Sequence, residues 1–309
     1  MPPPLSSVSE IRLGQQDEDG RFSLSSISTM RAPLSLLLVL LCCATLAWAD
    51  PEYVDLGRAF DNKTLYWIDS TVFKFTKKVA RTNVDGTWYA ANEFMAAEHG
   101  GTHLDAPHHF SKNGWKVGDI PLDRLIVPAV LMDMRSEVAN QPDFELLPQH
   151  ISDWEEEHGE IPDDSVLLIR YGWGIYYNNR TRYFGFEKHG RNMHFPGLSE
   201  GAARELATRG TLVGVGTDTP SVDAGKSVTY RAHVHLQTAN MYVLENLDLE
   251  HDNMPERDFT LWVMPMKIAE GTGAPCRVIA VLNFSPSVET SLSLILSALA
   301  LIRTLQYLQ

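Results

Sequence analysis

After residue 50 the chain alternates short apolar runs with polar, glycine- and proline-marked connections. Residues 166–170 (VLLIR), 212–216, 259–264 and 277–284 are brief and apolar, the length and character of buried strands. Residues 199–209 (SEGAARELATR) read as a helix. Ser199 is its cap, Glu200 suits the positive end of the helix, and Gly210 stops it. Residues 149–158 form a second, acidic helix candidate. Upstream, a strand ending near Ala97 runs into a glycine-rich turn and a short extended stretch. Strands mixed with few helices predict an α/β (or α+β) fold. No internal repeat or low-complexity linker breaks residues 50–286, which predicts one domain there.

The ends have a different character. Residues 30–49 carry a positive start at Arg31, an apolar core at 36–41 and a small-residue site at Ala47-Trp48-Ala49. That is the pattern of a secretory signal peptide and is short for a membrane span. Residues 1–29 then read as an upstream extension or a mis-called start. The expected location is secreted, or extracellular with a membrane attachment if the tail, residues 287–309, is a lipid-anchor signal. A terminal amphipathic helix is the other reading of that tail. Three glycosylation sequons, at Asn62, Asn179 and Asn283, accord with export. Cys42 and Cys43 fall in the signal, which leaves Cys276 alone and rules out a disulfide within the processed chain. A core of about 240 residues does not need one. The net charge of −13 disfavours nucleic-acid partners.

The candidate chemistry is concentrated in residues 99–110, HGGTHLDAPHHF. His99, His103, Asp105, His108 and His109 offer imidazole nitrogen and carboxylate oxygen, the donors a zinc or manganese ion accepts. Gly100, Gly101 and Pro107 argue against a continuous helix. Gly101 lets the backbone pass close to an ion. A histidine-rich surface loop is the alternative. Asp218 and Asp223 follow the strand predicted at 212–216, and their loop is expected to have a structural role in shaping the metal pocket. Trp173, Tyr176 and Tyr177 are candidates for an aromatic substrate wall, and Lys267 and Arg277 for an anionic substrate group. Cys276 shows no sign of activation as a nucleophile.

The same stretch fills every fixed position of H-x-G-T-H-x-D-x-P-x-H, at His99, Gly101, Thr102, His103, Asp105, Pro107 and His109. It resembles the cyclase superfamily, which includes bacterial-type kynurenine formamidases and isatin hydrolase. Residues 214–223 (GVGTDTPSVD), the segment holding His233 and Glu245, and residues 265–277 (PMKIAEGTGAPCR) resemble further family motifs, in family order. The resemblance implies a swivelling β/β/α single domain. It implies metal ligands at His99, His103, Asp105, His233 and Glu245, holding one or two divalent ions, zinc or manganese. It implies His109 as the acid/base catalyst. His235 lies close enough in sequence to be mistaken for His233, and only the twelve-residue step to Glu245 separates them. A homo-oligomer acting on a small molecule is expected.

Amide hydrolysis follows as the expected activity. A metal acidifies water for attack on a carbonyl, and an imidazole near its ordinary pKa carries the proton to the leaving amine. The resemblance makes hydrolysis of N-formyl-L-kynurenine to L-kynurenine and formate, as in tryptophan catabolism, the first expectation. A cyclic amide or lactone hydrolase of the isatin type is the second. A secreted metal- or ligand-binding protein without activity is the third.

Overall fold

The structure, a computed structural model, describes residues 51–139, 141–186 and 192–282. The segments expected to be an upstream extension, a signal peptide and a C-terminal tail, together with Asn283, lie outside the described residues.

Seven strands close on themselves. β4 (His103–Asp105), β5 (Ile126–Asp133), β7 (Ser165–Arg170), β9 (Leu212–Thr217), β10 (Tyr242–Glu245), β11 (Phe259–Pro265) and β12 (Gly273–Leu282) run in the order β12-β11-β5-β7-β9-β10-β4, and β4 pairs back onto β12. The β5, β7, β9 and β10 neighbours are parallel, and the remaining pairings of the ring are antiparallel. β1 (Glu52–Asp55) adds to β12 from outside the ring. Around it lie α1 (Arg135–Val138), α2 (Pro148–His158), α3 (Arg180–Phe184), α4 (Glu200–Arg209) and α5 (Arg231–Thr238). This is a mixed α/β domain with a barrel-like sheet and peripheral helices.

Side chains of successive strand residues point to opposite faces, so the strands that the helices cover feed two cores. In β5, Val127, Ala129 and Leu131 fill the barrel, while Val130 and Met132 meet the helix layer. β7 splits its apolar residues in the same way, with Val166 and Leu168 inside and Leu167 and Ile169 outside. That two-faced burial explains why these strands read as unbroken apolar runs. In β4 the same rule puts Leu104 in the barrel and turns His103 and Asp105 out, toward the helices. The polar chemistry thus sits between the barrel wall and the helix layer.

The predicted strands and helices are present, with shifted ends. β12 begins at Gly273, four residues before the apolar run, because Gly273 to Pro275 pair with β4. α4 starts at Glu200, with the Ser199 side chain accepting from the Ala202 N–H at 3.2 Å, and Gly210 closes it at φ 69°. The strand expected to end near Ala97 is β3 (Trp88–Met95). Its hairpin partner β2 (Lys74–Thr82) and α5, only eight residues long, carry no clear sequence signal. The hairpin leaves nearly all its side chains exposed, Trp88, Phe94 and Phe75 among them. Pairs of this kind gain little from burial.

Replacing Ser199 by Ala removes the cap of α4 and should cost about 1 kcal/mol. For a domain of this size that lowers the melting temperature by about 2–4 °C in a thermal scan. An unchanged melting temperature would mean the cap does not stabilise the helix.

Candidate metal centre and active site

Four pieces of chain supply the site. The glycine turn before β4 brings His99, and β4 itself brings His103 and Asp105. α5 brings His233 and the end of β10 brings Glu245. Glu245 lies directly across from His103 in the antiparallel pair of β10 and β4. Two glycines make room for the imidazoles and the turn. A Cβ on Gly273 would lie 2.5 Å from the His99 ring, and one on Gly100 would lie 2.1 Å from the Tyr66 ring. Gly101 sits at φ 55°, where glycine has no steric penalty.

The ligand-competent atoms of His99, His103 and Asp105 lie within 4.8 Å of one another, as do those of Asp105, His233 and Glu245. Asp105 belongs to both groups. Except for His99, which is partly open, these side chains are buried.

The hydrogen bonds fix which ring nitrogen is committed outward. His103 donates from Nδ1 to the Gly101 carbonyl at 3.0 Å, and its Nε2 faces Asp105 at 3.1 Å and Glu245 at 3.5 Å. His233 gives its Nδ1 proton to Asp223 at 2.7 Å, and its Nε2 faces Asp105 at 3.1 Å and Glu245 at 3.2 Å. The Thr272 hydroxyl donates to Glu98 at 2.7 Å and so accepts from His99 Nε2 at 2.9 Å. His99 Nδ1 then faces Asp105 at 2.6 Å. Three inward ring nitrogens therefore converge on two carboxylates, and each contact needs either a proton or a metal ion between its two atoms. This donor set fits one or two divalent ions, and imidazoles oriented by a carboxylate or carbonyl are the usual support of such ligands.

The electrostatics carry the same message. Burial disfavours a charged His103, yet Asp105 and Glu245 beside it raise its pKa to about 9. His233 is likewise held up against burial by Asp105, Asp223 and Glu245. Asp105 is buried too, but His99 and His103 keep its carboxyl well below the ordinary range. Burial and the Asp105 charge raise Glu245. The pull that draws protons onto these rings is the pull available to a metal.

A cavity of about 300 Å³ opens on the cluster. Trp67, Phe184, Tyr230 and Phe110 give it an aromatic wall, and His109 and Asn246 also line it. The His109 ring stacks on His99 at 4.0 Å between centroids. Its nitrogens make no hydrogen bond among the described residues, and partial desolvation lowers its pKa below the usual imidazole value. The Phe110 N–H donates to Gln237 at 2.8 Å, which ties the turn after His109 to α5.

The structure thus brings His99, His103, Asp105, His109, His233 and Glu245 together. His235 points the other way, toward Glu200 at 3.2 Å on the surface. His108 does not line the cavity. Nor do Trp173, Tyr176 and Tyr177. Trp173 is buried, donating to the Tyr183 carbonyl, and Tyr176 and Tyr177 carry the guanidinium groups of Arg182 and Arg58. Arg277 pairs with Asp55 on the outside of the sheet, and Lys267 is likewise away from the cavity. Burial pushes the Cys276 thiol far up, so it is inert. Asn62 and Asn179 are exposed. The loop of Asp223 is expected from the sequence to shape the pocket, but its hold on His233 is not; Asp223 also accepts the backbone N–H groups of Ala232 and His233. Sequence reasoning also missed Trp67, Phe184 and Tyr230, whose distance along the chain gives no hint that they meet.

Comparison with known proteins places this arrangement. Residues 54–224 match the Cyclase family model. The chain belongs to the cyclase family. This cyclase is 32% identical over 212 residues to isatin hydrolase of Roseibium aggregatum, covering 66% of this chain and 79% of that protein. It is 29% identical over 233 residues to kynurenine formamidase of Salinibacter ruber, covering 75% and 98%. Isatin hydrolase A of Labrenzia aggregata, solved bound to benzyl benzoate, superposes with a TM-score of 0.69 at 31% identity, over 80% of this chain and 99% of that one.

Asp223→Asn should weaken metal binding about 10- to 100-fold, because His233 loses the acceptor that fixes its tautomer. Competition against a chromogenic chelator measures this. Unchanged affinity would remove Asp223 from the site's support.

Proposed function

We propose that this cyclase is a metal-dependent hydrolase of small cyclic N-aryl amides, of the isatin hydrolase type. The observation that carries the choice is the make-up of the cavity. Aromatic side chains flank the ligand cluster, and no Lys or Arg is among the described residues that line it. A planar, uncharged bicyclic amide suits such a wall. N-Formyl-L-kynurenine brings a carboxylate and an ammonium group as well. Its carboxylate would find no Lys or Arg among the described residues that line the cavity. The similarity to isatin hydrolases points the same way, and arylformamidase activity stands as the second reading.

A divalent ion held by His99, His103, Asp105, His233 and Glu245 supplies Lewis-acid polarisation and acidifies water. The ion is zinc or manganese, as the ligand types accept both. The rest belongs to the chain. Trp67, Phe184 and Tyr230 hold the aryl ring against the cluster and keep bulk water from its faces. Water oxygen bonds to the carbonyl carbon, the C–N bond breaks, and the nitrogen leaves as an amine after gaining a proton. His109 is the side chain placed to move that proton. It is neutral, lines the cavity, and makes no hydrogen bond among the described residues. Its stacking on His99 fixes its distance from the reacting bond.

His109→Ala should retain bound metal but lose about 10²- to 10⁴-fold in kcat for isatin. Metal content by elemental analysis and ring opening followed by absorbance make the test. Loss of metal would reassign His109 as a ligand. Turnover of N-formyl-L-kynurenine by the unaltered protein, without turnover of isatin, would favour the second reading.

A further inference from the structure

Asn246 follows Glu245 directly, is 4% exposed, and lines the cavity. Its backbone sits at φ 57°, a conformation Asn tolerates better than most residues. The backbone is held from both ends. Its N–H donates to the Thr219 carbonyl at 3.0 Å, and its carbonyl accepts from the Thr102 hydroxyl at 2.8 Å. The carboxamide has a single partner among the described residues, the Tyr183 hydroxyl, with Oδ1 placed 3.0 Å from it.

That hydroxyl also lies 2.8 Å from the carbonyl oxygen of Asp218. It has one proton, and burial keeps that proton on. The Asp218 carbonyl can only accept. With Oδ1 toward Tyr183, two acceptors compete for one hydrogen and one buried group goes unserved. A half-turn of the carboxamide removes the conflict. Tyr183 donates to Asp218, Nδ2 of Asn246 donates to Tyr183, and both contacts are satisfied. Hydrogen-bond accounting is what decides the orientation of an amide. The outcome frees Oδ1 as an acceptor on a side chain that lines the cavity.

We propose that Asn246 is a specificity-determining residue, whose carboxamide oxygen accepts the N–H of the substrate's scissile amide and so selects secondary amides over N-alkylated amides and lactones. Tyr183 is the positioning residue that sets the orientation. The inference rests on the amide hydrolase reading above. An N-substituted amide or a lactone offers Oδ1 no hydrogen and leaves it desolvated without a partner. A loss of that kind corresponds to about tenfold to a hundredfold.

The test compares isatin with N-methylisatin on the full protein, each rate divided by its own rate of hydroxide-catalysed opening. The unaltered protein should favour isatin by about tenfold or more in kcat/KM. Asn246→Gly keeps the left-handed backbone and removes the carboxamide. It should bring the ratio close to one, mainly by slowing isatin, with metal content unchanged. Tyr183→Phe leaves the carboxamide free to turn and should lower the ratio part of the way. A ratio near one in the unaltered protein, or the same ratio in Asn246→Gly, would overturn the proposal. If neither compound is hydrolysed, the hydrolase reading has failed. Binding of the same pair by calorimetry then decides for Asn246, because isatin should bind tighter than its N-methyl form only if the carboxamide is present. Equal binding, or none, would overturn it.

Discussion

The site depends on where three imidazole protons go. Gly101 takes one from His103, Asp223 takes one from His233, and Thr272, polarised by Glu98, takes one from His99. With those bonds made, the opposite nitrogens face Asp105 and Glu245, and a proton or a metal must stand between them. In water such an arrangement would be screened. Between the barrel wall and the helix layer it is not, and desolvation makes an uncompensated cluster costly. A divalent cation resolves the conflict, and every second partner named here works by holding that conflict in place.

The barrel supplies the rigidity this requires. β4 is three residues long, yet it pairs with β10 on one edge and β12 on the other and closes the ring. Leu104 anchors it from inside, so His103 and Asp105 are held from behind. Gly273, the β12 residue opposite Asp105, also makes room for the His99 ring. The stretch from Gly273 to Pro275 thus serves two ends: it completes the barrel and it shapes the pocket of a ligand. That double duty accounts for the early start of β12 relative to its apolar run.

Local signals in the sequence were enough for much of this. Two of the four apolar runs became strands covered on both faces, β7 and β9, and the other two, β11 and β12, bury one face and leave the other partly open. Ser199 and Gly210 bound α4 by chemistry that acts within one turn. The dense run from His99 to His109 drew attention by composition alone. Other features depend on contacts that form only in the fold. His233 and His235 sit two apart on a helix too short to show a clear period, and only the packing of α5 on the barrel turns one inward and the other to Glu200. Trp173 looked like a wall residue and is core, because its indole N–H is needed by the Tyr183 carbonyl. The true wall gathers Trp67, Phe110, Phe184 and Tyr230 from four separate segments. β2 hid for another reason: its side chains are exposed, so they follow no burial pattern.

The central claim is that Asp105 stands between two sets of metal ligands. Crystals of the protein grown with manganese, measured with X-rays above and below the manganese absorption edge, test it most directly. The account predicts an anomalous peak within bonding distance of an Asp105 oxygen and of at least one of the three inward imidazole nitrogens. A fully ordered site with no anomalous peak near Asp105, at a manganese concentration that populates other sites, would contradict it.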